Sequence, residues 1–345
     1  MKGWLLKGIV VMLGLILVAG GCAPKPDAGK QEMVDLEIYS TAGPGTPPYT
    51  VSLALSGMMN ELHPRLRSTV IETLGSVDAI HTTNVLPPER KKSVFLCITT
   101  GVSMAEAWQG LAQYKRKFTD MKLVASTGKT GFTFITYDSN IKTPKDLAGK
   151  RLTLQLKTMP LYPLGEALLR DAWGILDQVK ISDMAPTGTK DYLVTGIVDA
   201  AFVAPATENA GGKFGIPPYV SEAQAARKTY WVEVSEEDVA RVNENNPWTV
   251  SRVEVPTGAV GGGYPLEDTG VVAWYNYIVA WDVADEEVVY ELVKFLDENA
   301  AEWSKRNRGL PSGAGYMGDF PGMTEDKIHP GALRYYKEKG IQVGG

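Results

Sequence analysis

Short apolar runs alternate along this chain with longer stretches in which apolar residues return at helical spacing. Leu36 to Tyr39, Ser68 to Thr73, Val94 to Ile98, Leu123 to Ser126, Phe132 to Tyr137, Arg151 to Leu156, Ala200 to Val203 and Val271 to Ala280 are short, apolar and often β-branched. Residues of that kind pack well on a pleated surface, so these segments are predicted strands. Val51 to Leu62, Met104 to Tyr114, Leu164 to Trp173 and Glu286 to Asn299 each carry an apolar face at helical spacing and are predicted helices. The alternation predicts an α/β fold, with largely parallel sheets covered by helices on both faces. No segment repeats at a solenoid period.

Two glycine-rich passages punctuate the pattern. Gly128 to Gly131 separates two predicted strands with too few residues for a helix, which suits a crossing between lobes. Gly258 to Gly263 precedes the strand at Val271 and suits the return. The chain then divides into a first lobe over 34–128, an inserted second lobe over 129–255, and a closing part of the first lobe over 256–345. Binding proteins that close on a ligand by hinge motion have this arrangement. A single large doubly wound domain is the alternative.

Lys2 and Lys7 flank the opening of an apolar stretch, Gly8 to Gly21, too short and too punctuated by glycine to span a bilayer as a mature helix. It reads as a secretory signal. Val18-Ala19-Gly20-Gly21-Cys22 sets small residues directly before a lone cysteine and resembles the lipobox of bacterial lipoproteins, although Ala19 stands where Leu is commoner. That resemblance implies a leader over 1–22, acylation of Cys22 and a polar tether over 23–33. The expected location is extracytoplasmic, in the periplasm or on the outer face of the cell membrane, held by a lipid. An uncleaved anchor helix with an incidental Cys22 is the competing reading. Cys97, the other cysteine, lies in an apolar run, so it is predicted buried and no intrachain disulfide is expected.

Composition narrows the class. With 345 residues, 44% of them hydrophobic and 22% charged, the chain can bury one large or two medium cores. A formal net charge of -5, with no basic block, argues against a nucleic-acid partner. The densest basic cluster, Lys115-Arg116-Lys117, falls in a helical pattern and reads as a solvated face.

Signals of catalysis are missing. His63, His81 and His329 are not paired on one helix face, His-Glu-x-x-His and paired cysteines are absent, and no metal or other cofactor is signalled. There is no Walker pattern, and Leu310-Pro311-Ser312-Gly313 lacks the glycines of a nucleophile elbow, so Ser312 reads as a turn residue. Carboxylates such as Asp285-Glu286-Glu287 stand at helix starts, where they complement the dipole. These features favour binding over catalysis.

The loop "STAGPGTPPYT", Ser40 to Thr50, is the clearest candidate site. Gly43-Pro44-Gly45 begins like a dinucleotide fingerprint, but Pro48 fills the third glycine position and obstructs the strand–helix packing that the fingerprint needs. What is left is a turn in which Thr46 caps a helix and Pro47 or Pro48 occupies its first turn. A strand end and a helix N-terminus present free N–H groups to an anion. A plain strand-to-helix turn fits the same residues.

"STAGPGTPPYT", "VIETLGSVDAIHTTNVL" from Val70 to Leu86, "DLAGKRL" from Asp146 to Leu152 and "HPGALRYYKEKG" from His329 to Gly340 together resemble the TAXI class of solute receptors. These serve tripartite ATP-independent periplasmic (TRAP) transporters. The resemblance implies a two-lobed type II periplasmic-binding-protein fold with a ligand cleft and a hinge. It also implies a monomeric receptor, not an enzyme, that hands small organic anions such as glutamate or 2-oxoglutarate to a membrane permease. The family's first glycine-rich loop maps onto Thr41 to Tyr49, which takes in Gly43, Gly45 and Thr46. Its Gly-Gly-Ser-Val turn maps onto Leu74-Gly75-Ser76-Val77, and the next strand end onto Thr99 and Thr100. The Gly-Ser-rich loop after "GKRV" is not kept. Leu154 to Tyr162 replaces it and offers Lys157, Thr158 and Tyr162 as a charged and aromatic wall. Ala204-Pro205-Ala206 replaces another glycine-rich loop, and Tyr264 follows the triple glycine as in many members.

Lys157 also reads as a surface lysine, Ser76 as a helix cap, and Trp248, Trp274, Trp281, Tyr335 and Tyr336 as packing residues. Two other functions stay open. One is the receptor of an ABC importer, for sulfonates or thiamine precursors; the other is an exported enzyme on the same scaffold.

Overall fold

A computed structural model describes residues 32–44, 46–157, 159–209, 213–306 and 313–343. The leader over 1–22, Cys22, most of the tether, Gly45, Thr158 and Ser312 lie outside the described residues.

The strands are Val34–Ser40 (β1), Leu66–Glu72 (β2), Val94–Thr100 (β3), Met121–Thr136 (β4), Arg151–Thr153 (β5), Lys180–Ser182 (β6), Ala200–Asn209 (β7), Lys213–Gly215 (β8), Tyr230–Trp231 (β9), Ser251–Val255 (β10) and Thr269–Trp281 (β11). They form one mixed sheet in the order β2-β1-β3-β11-β4-β7-β5-β6, with β10, β8 and β9 pairing off that path. β1 runs parallel to β2 and β3. At the other end of the sheet β5 runs parallel to β6 and β7. Two long antiparallel strands, β4 and β11, join these parallel groups. The helices that concern the site and its supports are Pro47–Leu62 (α1), Ser76–Asn84 (α2), Gly101–Gln109 (α3), Leu161–Ala167 (α4), Glu236–Asn245 (α5), Glu286–Glu298 (α6) and Pro330–Glu338 (α7).

Burial follows the apolar pattern. Every residue of β3 and of β11 is buried, as central strands covered on both faces require. α6 turns Val288, Val289, Leu292, Val293, Phe295 and Leu296 inward. Its N-cap Asp285 accepts from the amides of Glu287 and Val288, so this helix start is the one read from the sequence.

The buried apolar residues fall into three clusters. The first draws on 36–125 and 275–336, and contains Cys97, whose burial pushes its thiol up to about 12. The second and third draw on 102–274. β4 and β11 cross between them: Leu123 and Ile278 pack in the first cluster, whereas Phe132 and Trp274 pack in the second. Val260, Tyr264 and Val271 belong to the third cluster, so the chain rejoins the first core inside β11. Trp248 and Trp274 likewise pack in the second core, and only Trp281 of the three tryptophans packs in the first.

Several local expectations are corrected. The two strands predicted around Gly128 are one strand, β4. Gly128 sits at φ 100°, and a Cβ on Gly131 would stand 2.6 Å from Val271 Cγ2, so these glycines permit a bend and a close approach inside the strand and do not end it. The helix predicted to Tyr114 stops at Gln109, because Gly110 adopts a left-handed cap at φ 69°. Lys115-Arg116-Lys117 is therefore outside a helix, and Arg116 pairs with Asp120 at 3.2 Å. The strand predicted to Leu156 ends at Thr153, and Gln155 follows it at φ 67°.

Candidate functional site

The carboxyl ends of β1, β2 and β3 are tied together by short side chains. Thr41 Oγ1 donates to Ile98 O at 2.7 Å, and Thr73 Oγ1 donates to Ser40 O at 2.6 Å. Ile98 holds φ 66°, a left-handed conformation that a β-branched residue adopts only under constraint. Beside it Thr99 is fully buried, and among the described residues its hydroxyl has no partner. Thr100 caps α3 by accepting from Ser103 N at 3.1 Å.

The two preceding helices start differently. Thr46 is the N-cap of α1, yet its hydroxyl donates to Gly43 O at 2.6 Å and caps nothing. Pro47 and Pro48 occupy the first turn as expected. Gly43 lies against Glu72, and Tyr49 is half-buried. Gly75, which has no side chain to offer, is the N-cap of α2. Ser76 is thus the first helical residue, not the cap, and it is buried, while Val77 packs partly against the first core. Among the described residues no side chain caps the amides of Ser76, Val77 and Asp78. In an α-helix such first-turn amides have no intrahelical acceptor and carry the positive end of the dipole.

The carboxyl ends of β5 and β7 form a second group. Lys157 is exposed; its backbone N donates to Asp183 at 2.9 Å and its Nζ stands 6.0 Å from the Tyr162 ring centre. Tyr162 is half-buried, and burial raises its phenol. Ala204 N donates to Tyr219 Oη at 3.4 Å, and Pro205 is buried in β7. Tyr264 is placed elsewhere: it is buried in the third core and its hydroxyl accepts from Thr229 N at 3.3 Å.

Sequence reading passed over a third group, where β4 and β11 cross between the cores. Ser126, Gly128, Lys129, Glu208, Tyr275, Tyr316 and Asp319 line a cavity of about 40 Å³. Lys129 Nζ stands 4.9 Å from the Tyr275 ring centre. Burial raises the Tyr275 phenol, and the Asp319 carboxylate raises it further. The pairing register of β4 and β11 is interrupted at this point, between Tyr275 and Tyr277. Gly128 was the available signal, since a glycine inside a strand pattern often marks an irregularity of this kind. Among the described residues no cluster of three or more His, Cys, Asp or Glu is arranged to hold a metal.

Parallel strands whose carboxyl ends meet helix N-termini, joined by two long crossing strands, define the fold of the periplasmic binding proteins. Two solved structures agree at a TM-score of 0.50. The periplasmic binding protein BugD superposes with a TM-score of 0.50 at 15% identity, covering 91% of this chain and 99% of its own. Rpa4515 of R. palustris, solved with adipate, gives 0.50 at 14% identity, with 89% and 93% covered. MatC of Rhodopseudomonas palustris, solved with malate, gives 0.49 at 15% identity, with 89% and 97% covered. The NMT1-like family model matches residues 39–340, and the chain belongs to the NMT1-like family. The match takes in all the sequence-predicted ligand residues from Thr41 to Tyr264.

Proposed function

We propose that this protein is an extracytoplasmic receptor, anchored by a lipid on Cys22, that captures a small organic acid and delivers it to a TRAP permease. One observation carries the reading: the first-turn amides of α2 are uncapped at the carboxyl end of β2, beside the tied ends of β1 and β3. Free amides and a dipole end suit a carboxylate. The likeness to the periplasmic binding protein BugD and to a protein solved with adipate supports a receptor over an enzyme. The TRAP assignment rests on the TAXI motifs and Cys22 on the lipobox, both read from the sequence. In this account the first core and the other two are lobes, and the β4–β11 crossing at Gly128 is the hinge on which they close.

A thermal-shift screen of mono- and dicarboxylates, amino acids, aromatic acids and sulfonates tests the ligand class. An acid present at about 100 times its dissociation constant should add about 2.7 kcal/mol of stability. No shift with any carboxylate overturns the reading. A shift with sulfonates alone, or an ATPase gene beside this one in place of a multispanning permease, supports an ABC importer. A bound acid recovered chemically changed makes the protein an enzyme.

A further inference from the structure

Gln155 follows β5 at φ 67°, a conformation uncommon for any residue with a side chain, and is 1% exposed. Its carboxamide is held in one orientation, because Nε2 donates to Phe202 O at 3.2 Å. The same nitrogen lies 3.5 Å from Tyr219 Oη, on the helix Pro218–Ala226. Oε1 is buried, and among the described residues no donor reaches it. The Tyr219 oxygen also accepts from Ala204 N at 3.4 Å, and among the described residues no acceptor takes its proton. Two side chains that approach to 3.5 Å thus each hold a polar group without a partner among the described residues, and Gln155 lies in the Leu154–Tyr162 stretch that the sequence resemblance offers as a wall of the site. A buried acceptor without a donor is destabilising, because its lost hydration is not replaced. A strained backbone that holds such an atom in place is a common mark of a binding site.

A hydroxyl is the simplest group that satisfies both atoms, since it gives a proton and accepts one at a single centre. A carboxylate has no proton for Gln155, an ammonium has no lone pair for Tyr219, and a methylene has neither. Resting on the receptor reading above, we propose that Gln155 and Tyr219 determine specificity, and that the ligand is a hydroxy acid whose hydroxyl donates to Gln155 Oε1 and accepts from Tyr219 Oη. A site built to bind a hydroxyl rejects the analogue that lacks it, because its polar atoms are then left unpaired.

Calorimetric titration with pairs of acids that differ by one hydroxyl tests this: succinate against malate, butyrate against 3-hydroxybutyrate, adipate against 3-hydroxyadipate. In the full chain at least one hydroxy acid should bind ten or more times tighter than its partner. Gln155→Met and Tyr219→Phe should each reduce that ratio to about threefold or less, because the polar atoms that penalise the plain acid are then gone. A ratio measured within one preparation is independent of the fraction folded, so a destabilised variant still reports. Equal binding within every pair overturns the hydroxyl assignment and spares the receptor. A preference that survives both substitutions also overturns it. Failure of every acid to bind removes the receptor reading, and this inference with it.

Discussion

Two sets of helix starts show how the chain distributes its polar side chains. α5 opens with Ser235, whose hydroxyl accepts from Asp238 N while the Asp238 carboxylate accepts from Ser235 N, a reciprocal capping box. α6 opens with Asp285 on two amides, and α7 with His329 on Gly331 N at 3.3 Å. α1 and α2 have no such caps, although Thr46 holds a hydroxyl at the right position and turns it away. A side-chain cap is worth about 1 kcal/mol. The chain takes that stabilisation at α3, α5, α6 and α7 and omits it at α1, α2 and α4. At α2, whose open amides stand at the end of β2 beside the tied ends of β1 and β3, the omission is what a ligand-borne cap predicts.

The largest expected effect sharpens the supporting side of this contrast. His329 is buried, and burial lowers its pKa to about 4, against 6.5 for a free imidazole, so it caps α7 as the neutral base. The unfolded chain then binds the extra proton between pH 6.5 and 4. The contribution is fully present above pH 6.5 and is lost as the pH falls towards 4. At 1.36 kcal/mol per pH unit the loss comes to about 3 kcal/mol. Denaturant melts across that range check it, and His329→Gln should flatten the slope.

The next effect attacks the open side. Gly75→Asp adds a carboxylate cap to α2 at a position where a Cβ meets nothing within 4 Å. It should raise stability by a few tenths of a kcal/mol and weaken the organic acid by about tenfold or more, by filling its place and repelling it. A variant that binds undiminished would dissociate the site from α2. Asp285→Ala supplies the converse: a loss of about 1 kcal/mol in chemical denaturation, with affinity unchanged. Smallest is Thr46→Ala, which removes the Thr46–Gly43 bond that shapes the loop; a several-fold loss of affinity is expected, with stability nearly intact.

The sequence shows these differences unevenly, for physical reasons. β3 is legible because a fully buried strand is a continuous apolar run, and α6 because Asp285 stands just before an amphipathic stretch. The Ser40–Thr50 loop is legible because glycines and prolines dictate local geometry. β4 is not, since a glycine that ends one strand and a glycine that bends another look alike until Val271 is seen packed against Gly131. Lys129, Glu208 and Asp319 meet only through the fold and leave no local pattern. Gln155 is hidden for a further reason: it holds a left-handed φ that a glycine or asparagine would have announced and a glutamine does not.

Amide chemical shifts decide the central claim most directly. During titration of isotopically labelled protein with the acid that gives the largest thermal shift, the resonances of Ser76, Val77 and Asp78 should move with ligand occupancy. Those of Asp238, Glu287 and Val288, already capped by the protein, should stay in place. Saturating binding that leaves the α2 amides unmoved would contradict the account.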